Sequence, residues 1–144
     1  MPSSETSVTQ SQEAFTQLFK ENVVSFFHEL DTLFPNHVFI SIGKLYVQQC
    51  HDQKWTEVLH HVSDFLTDGG DELKQEFQHL LQQQNATAII EFCKACIRGS
   101  FDQQLHELEE CWNKLTPEQQ ENCWSWLELI IQLILHYRKE IKNS

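Results

Sequence analysis

The sequence predicts an all-α, single-domain bundle of about seven helices around a hydrophobic C-terminal helix, from three observations. Apolar residues recur at steps of three and four along most of the chain, which is the period of an amphipathic helix. Only four Gly and three Pro interrupt the 144 residues, which is few for a β-sandwich or a disordered chain. Apolar residues make up 40% of the chain, which suffices for one core at this length.

The first helix follows a polar segment, residues 1–10, that we expect to be disordered because it shows no apolar period. Thr9 and Gln12 have the spacing of a capping box at the start of this helix. Pro35 ends it, because the residue before a proline is disfavoured in helical conformation. The helical domain is therefore predicted over residues 11–144.

Residues 37–51 fit two patterns. The alternation of apolar residues from Val38 to Ile42 suits a strand, whereas the spacing of Phe39, Ile42 and Tyr46 suits a helix. No other segment could pair with a single strand, and an isolated strand is not stable. The sequence therefore predicts a helix here.

Helices three to six are separated by turn signals. Asp52 is expected to cap the third helix, and Gly69-Gly70 to separate it from the fourth. Gly99 is expected to end the fifth helix, and Ser100 opens a capping-box pattern for the sixth. Their apolar stripes lie at 55–66, 73–81, 89–97 and 101–115.

The seventh helix, residues 117–142, has the clearest start signal. Thr116-Pro117-Glu118-Gln119 combines a cap, a proline at the first helical position and a reciprocal Gln. The polar residues between Trp124 and Tyr137 form one narrow line: Ser125, Glu128, Gln132 and His136. We therefore expect this helix to be surrounded by its neighbours on most sides.

The formal net charge of −11 excludes several partners. An acidic surface repels phosphate groups, so neither nucleic acid nor an anionic membrane is an expected ligand. The longest apolar run, Trp124 to Tyr137, is too short and too interrupted to span a bilayer. Five Cys, an odd number, and the absence of a signal-peptide pattern predict an intracellular compartment, the cytoplasm or nucleus.

No catalytic residue, cofactor site or metal site is predicted, and the protein is not expected to be an enzyme. The sequence has neither a glycine-rich phosphate loop nor a nucleophile elbow. Cys93 and Cys96 lie three residues apart but lack a second ligand pair, so core packing is their predicted role. His60 and His61 point about 100° apart on a helix and cannot easily clasp one ion.

Paired aromatic residues are the remaining signal. Phe26-Phe27 and the pair Trp124 and Trp126 cannot all be buried on a single helix face. Either they meet a second helix, or they form an exposed patch of the kind that binds other proteins. We predict these four as partner-binding residues, the partner being another protein or a second copy in a homo-oligomer.

Two short patterns remain, F-x-x-L-x-x-L-F-P at 27–35 and W-x-x-L-x-x-I at 124–130. Together they resemble small helical proteins of large nucleocytoplasmic DNA viruses. This resemblance implies a viral origin, with the host cytoplasm or nucleus as the compartment, and no particular function. The first hypothesis is therefore a non-enzymatic protein–protein interaction module, in a viral structural or host-interaction role.

A second resemblance is to Bcl-2-like helical bundles, some of them viral. Their BH3 segment is resembled by the pattern Leu66-x-x-x-Gly70-Asp71, in which Val62 and Leu73 are the flanking apolar positions. The resemblance implies a regulator of apoptosis that binds an amphipathic partner helix in a groove. The Asn-Trp-Gly-Arg signature of that groove and a C-terminal membrane anchor are absent, so this is the second hypothesis. A metal- or redox-active protein acting through Cys93 and Cys96 is the third.

Overall fold

The computed structural model describes residues 3–97 and 99–143, with side chains over 11–96 and 99–141. In these ranges the chain forms seven α-helices and no strand, which confirms the all-α bundle and the helical interpretation of 37–51. The helices are α1 Ser3–Leu33, α2 Val38–Gln49, α3 Asp52–Thr67, α4 Glu72–Gln83, α5 Ala86–Ile97, α6 Asp102–Lys114 and α7 Pro117–Asn143.

The first and last helices form the axis of the bundle. Helices α1 and α7 are the longest and pack against each other, while α3 packs on both and α2 packs on α1. Helices α4, α5 and α6 follow one another, each packed on the next, and α4 also contacts α3. The fold thus has one central core and a second layer beside it.

The central core lies where α1, α3 and α7 meet. Trp55, Leu59 and Tyr137 are almost completely buried there. The ring of Phe19 meets that of Trp55 edge to face, with centroids 5.8 Å apart, and Phe15 meets Tyr137 in the same way at 6.1 Å. Such aromatic pairs add to the stabilisation from apolar burial alone. This core fixes the two long helices against α3.

Two of the predicted helix boundaries are confirmed by hydrogen bonds. Thr116 Oγ1 accepts from the Gln119 N–H at 3.1 Å, and Gln119 Oε1 accepts from the Thr116 N–H at 2.9 Å. This is the reciprocal capping box predicted for α7. Asp71 caps α4 by accepting from the N–H groups of Leu73 and Lys74, so the break predicted at the two glycines is also confirmed.

Helix α1 begins earlier than predicted. It starts at Ser3 rather than at the Thr9 capping-box pattern. Residues 3–10 contain neither Gly nor Pro, so nothing in their sequence interrupts a helix that continues from the apolar part of α1. The division of the chain into residues 1–10 and a domain of 11–144 stays a prediction.

Two predicted caps are wrong by one residue. The N-cap of α3 is His51, not Asp52. Asp52 lies in the first turn, where its carboxylate pairs with Lys20 at 3.1 Å. The same negative charge interacts favourably with the positive end of the helix dipole. The N-cap of α6 is Phe101, without a side-chain bond, so the Ser100 capping box does not form. The Phe101 ring packs against Phe39, which orients the turn.

The central position of α7 is confirmed, but one flank is open. Helix α7 packs against both α1 and α3, with Ile130 and Ile134 buried in the core. Leu129 and Leu135, predicted to be covered, are 51% and 37% exposed. Both leucines lie beside the line of polar residues on α7. The side of the helix that faces solvent is therefore wider than the line of polar residues predicts.

Gly43 lies inside α2 because the ring of Phe27 occupies the space of its missing side chain. A Cβ built on Gly43 would contact Phe27 Cε1 and lie 2.9 Å from Phe27 Cζ. Glycine in a helix interior costs about 1 kcal/mol relative to alanine. The close packing of a predicted partner-binding aromatic therefore explains an otherwise unfavourable residue.

We expect Gly43→Ala to lower the free energy of unfolding by about 1–3 kcal/mol, because overpacking outweighs the gain in helix propensity. Urea denaturation measures this change. In a Phe27→Ala background the clash is gone, and the same Gly43→Ala change should be stabilising. A stabilising effect of Gly43→Ala in the wild-type background would contradict the packing described here.

Candidate partner-binding site

An apolar pocket of about 340 Å³ opens between the two layers of the fold. Its walls come from α1, α4, α5, α6 and α7, together with Ile40 of α2, and none of its fourteen lining residues is charged. The size lies at the lower end of ligand-binding pockets, which are mostly apolar. Trp112 and Trp124 lie in the wall, their rings edge to face with centroids 5.6 Å apart.

Each helix of the second layer contributes residues at helical spacing to this pocket. Phe77 and Leu81 come from α4, and Leu108 and Trp112 from α6, each pair four residues apart. One face of each helix is therefore turned toward the pocket. The Gln120 side-chain amide donates to the Trp112 carbonyl at 2.8 Å, which ties the start of α7 to the end of α6.

A groove of about 290 Å³ adjoins the pocket and runs between α4 and α7. The two share Leu81, Trp124 and Leu127. The groove is otherwise lined by leucine and isoleucine side chains, four glutamines and Glu128, its only charged residue. The pocket and groove together form one surface that is apolar at its deep end and polar along its rim; we call it the pocket–groove surface.

The turn between α3 and α4 holds one side of this surface. Asp68 accepts a hydrogen bond from the Gly70 N–H and pairs with Lys74 at 3.1 Å, and both interactions lower the pKa of its carboxyl. The Gln78 amide donates to the Phe65 carbonyl at 3.0 Å. These bonds fix the start of α4 against the end of α3.

The pocket is electrically neutral. Cys123 is buried in its wall, and burial, together with the negative charge of Glu29, raises the pKa of its thiol. Burial and the neighbouring Cys96 likewise raise the pKa of Cys93. A raised pKa keeps a thiol protonated at neutral pH and makes it a poor nucleophile. The pocket thus favours an apolar, uncharged group.

The structure separates the four aromatic residues that the sequence singled out. Phe26 and Trp124 line the pocket. Trp126 lies outside that lining but stacks on Phe26, with centroids 6.3 Å apart and planes 19° apart. Phe27 packs on Gly43 in the contact between α1 and α2. All four are half-buried, and a partner-binding role for them stays a prediction.

Cys93 and Cys96, the residues of the metal and redox hypothesis, are not part of a larger group of metal-binding side chains in the described residues. Cys93 is half-buried and Cys96 exposed, and the five Cys residues are free thiols. Within residues 3–97 and 99–143, no three His, Cys, Asp or Glu side chains are arranged to hold a metal ion. His60 lies 3.5 Å from Asp64, which also pairs with Arg138.

The segment that resembles a BH3 motif is not one continuous helix. Helix α3 ends at Thr67, and Asp71 is the N-cap of α4. Leu66 and Asp71 therefore belong to two different helices.

Sequence reasoning missed most of the pocket wall. The apolar stripes of α4, α5 and α6 were visible as helix patterns, but their spacing does not reveal that three such faces enclose a space.

No family model, curated protein or solved structure matches this chain. The two resemblances described above therefore stay hypotheses. In the part of the chain that the structure describes, no helix combines the length and apolar character needed to cross a membrane.

Proposed function

We propose that this protein is a non-enzymatic protein–protein interaction module that binds an amphipathic helix of a partner. The observation that carries the proposal is the neutral pocket, which joins an elongated groove lined by apolar and amide side chains. A helix places apolar side chains into such a surface from positions three and four residues apart. The pocket would take a large apolar anchor of the partner, and the groove would follow the helix beside it.

The shape of the surface favours a helix over a small apolar molecule. The groove runs along α4 and α7 and continues into the pocket through Leu81, Trp124 and Leu127. An elongated apolar strip matches the apolar face of a partner helix. The glutamine side chains at its rim offer donors and acceptors to polar residues flanking that face.

Charge favours a basic partner. The groove contains Glu128 and no cation among its lining residues, and the whole chain carries a formal net charge of −11. Complementary charge accelerates association and excludes acidic competitors. The preferred partner is therefore a basic amphipathic helix, and its binding should weaken as salt is added.

A synthetic amphipathic peptide tests this proposal. The probe has about 15 residues, long enough to form a helix, with leucines on one face, lysines on the other, and no tryptophan. Because Trp112 and Trp124 line the pocket, we expect a saturable change in tryptophan fluorescence. A scrambled peptide of the same composition, which lacks the apolar face, should bind at least about tenfold more weakly.

A matched pair of variants locates the binding surface. Ala86 lines the pocket, and Ala86→Phe should fill it and weaken peptide binding at least about tenfold. Ala14 is exposed on α1, outside the lining of both the pocket and the groove, so Ala14→Phe should leave binding unchanged. Equal binding of the two peptides, or an unchanged affinity of Ala86→Phe, would overturn the proposal.

A further inference from the structure

Two thiols lie close together near the end of α5. Cys93 and Cys96 are three residues apart in this helix, and Cys93 is half-buried whereas Cys96 is exposed. Residues at this spacing share one side of a helix, with their Cβ atoms about 5–6 Å apart. The two thiols interact electrostatically, since Cys96 contributes to the raised pKa of Cys93. We propose that Cys93 and Cys96 together bind one monovalent copper ion.

The spacing of the two cysteines suits a bridging metal ion better than a disulfide. A disulfide requires Cβ atoms about 3.5–4.5 Å apart, which is closer than one turn of a regular helix places them. A metal ion between the two sulfur atoms makes the bridge longer, because a metal–sulfur bond is about 2.3 Å long in thiolate sites. The pair can therefore hold an ion without unwinding the end of α5.

The number of available ligands selects the metal. Among the side chains that the structure describes, no three His, Cys, Asp or Glu are arranged around one ion, and Glu91 is paired with Lys94 at 3.3 Å. Zinc takes three or four protein ligands, and calcium and magnesium take oxygen ligands. Monovalent copper is a soft ion that thiolates bind preferentially, and two sulfur atoms complete a linear coordination. The pair thus fits copper and not the harder metals.

The surroundings of the pair give a cation access. Cys96 lines an open cleft between α4 and α5, in which six of the eight lining residues are uncharged and the other two are Glu76 and Glu91. The formal net charge of −11 also attracts cations to the chain. Neither cysteine lines the pocket or the groove. Copper binding and peptide binding can consequently fail independently.

Binding requires no change of oxidation state. Each thiol releases its proton to solvent as its sulfur forms a bond to copper, and no electron is transferred. Two thiolates and one monovalent cation leave the complex with a single negative charge. Copper therefore competes with protons for the two sulfur atoms.

Titration of the reduced full chain with monovalent copper, in the absence of oxygen, tests the proposal. A chromogenic copper chelator serves as the competitor, at a concentration that removes copper from a single thiol such as that of glutathione. We expect the chain to retain one copper ion per molecule. X-ray absorption of the loaded protein should then show two sulfur neighbours. A chain that retains no copper, or that retains zinc as firmly against a zinc indicator, would overturn the proposal.

Three variants with the same chemical change locate the site. Cys93→Ser and Cys96→Ser each remove one sulfur ligand and should weaken copper binding at least about tenfold. Cys111 is half-buried on α6 and provides the control, so Cys111→Ser should bind copper as the wild type does. Cys96 is exposed, so the melting temperature of Cys96→Ser should change little. If Cys96→Ser and Cys111→Ser bind copper equally well or equally poorly, the two thiols of α5 are not the site.

Discussion

Replacing Leu59 by alanine is expected to lower the free energy of unfolding by about 3–5 kcal/mol. Leu59 is 0% exposed and lies in the core formed by α1, α3 and α7, next to Trp55 and Tyr137. Truncation removes buried apolar surface and leaves a cavity that two long helices cannot easily collapse around. Denaturation in urea or guanidinium, followed by circular dichroism, measures the loss.

Leu73→Ala is the matched control for this prediction. It makes the same chemical change at a helical leucine that is 55% exposed. Its expected effect is within about 0.5 kcal/mol. Equal losses for Leu59→Ala and Leu73→Ala would mean that the core does not lie where α1, α3 and α7 meet.

Replacing His37 by phenylalanine is expected to cost about 2–4 kcal/mol, because the Phe39 N–H and the Gln104 carbonyl each lose a hydrogen bond. His37 is buried and is the N-cap of α2, with Nδ1 accepting from the Phe39 N–H at 3.2 Å. Its Nε2–H donates to the Gln104 carbonyl of α6 at 3.0 Å. One imidazole thus connects the start of α2 to the second layer.

Asparagine at position 37 separates the two bonds. Asparagine is a favoured N-cap residue and can accept from the Phe39 N–H, but it is too short to reach Gln104. We expect His37→Asn to lose about half as much stability as His37→Phe. Amide hydrogen exchange at Phe39 should accelerate in His37→Phe and stay slow in His37→Asn. Wild-type stability of His37→Phe would show that the two bonds contribute nothing.

The helices were predictable because their signals are local. The Thr116 capping box and the break before α4 each depend on a few neighbouring residues, and the structure confirms both. The one-residue errors at Asp52 and Ser100 occur at two helix starts that also make contacts distant in sequence, Asp52 with Lys20 and Phe101 with Phe39. Histidine is not a common N-cap residue, so no sequence rule pointed to His37.

The candidate binding surface was only partly predictable. Phe26 and Trp124 were singled out as aromatic residues that one helix face could not bury, and both line the pocket. The exposure of Val38, Ile42, Leu45 and Tyr46 on α2 was not foreseen, because apolar spacing does not reveal which sides of a helix are covered by neighbouring helices. The apolar period of a helix identifies candidates for packing; only the tertiary structure decides which of them remain exposed.

The pairing of α1 with α7 has a consequence for the order in which the chain can fold during synthesis. The contacts of α4 with α5 and of α5 with α6 join neighbouring helices and can form while translation continues. Phe19 and Tyr137 belong to one cluster, yet they are separated by most of the chain. The central core therefore cannot be completed until α7 has left the ribosome, and we expect the closure of so large a loop to be slower than the contacts between neighbouring helices. Helices α2 and α3 can already cover part of α1 by then, but the part of α1 that packs on α7 stays exposed until α7 arrives.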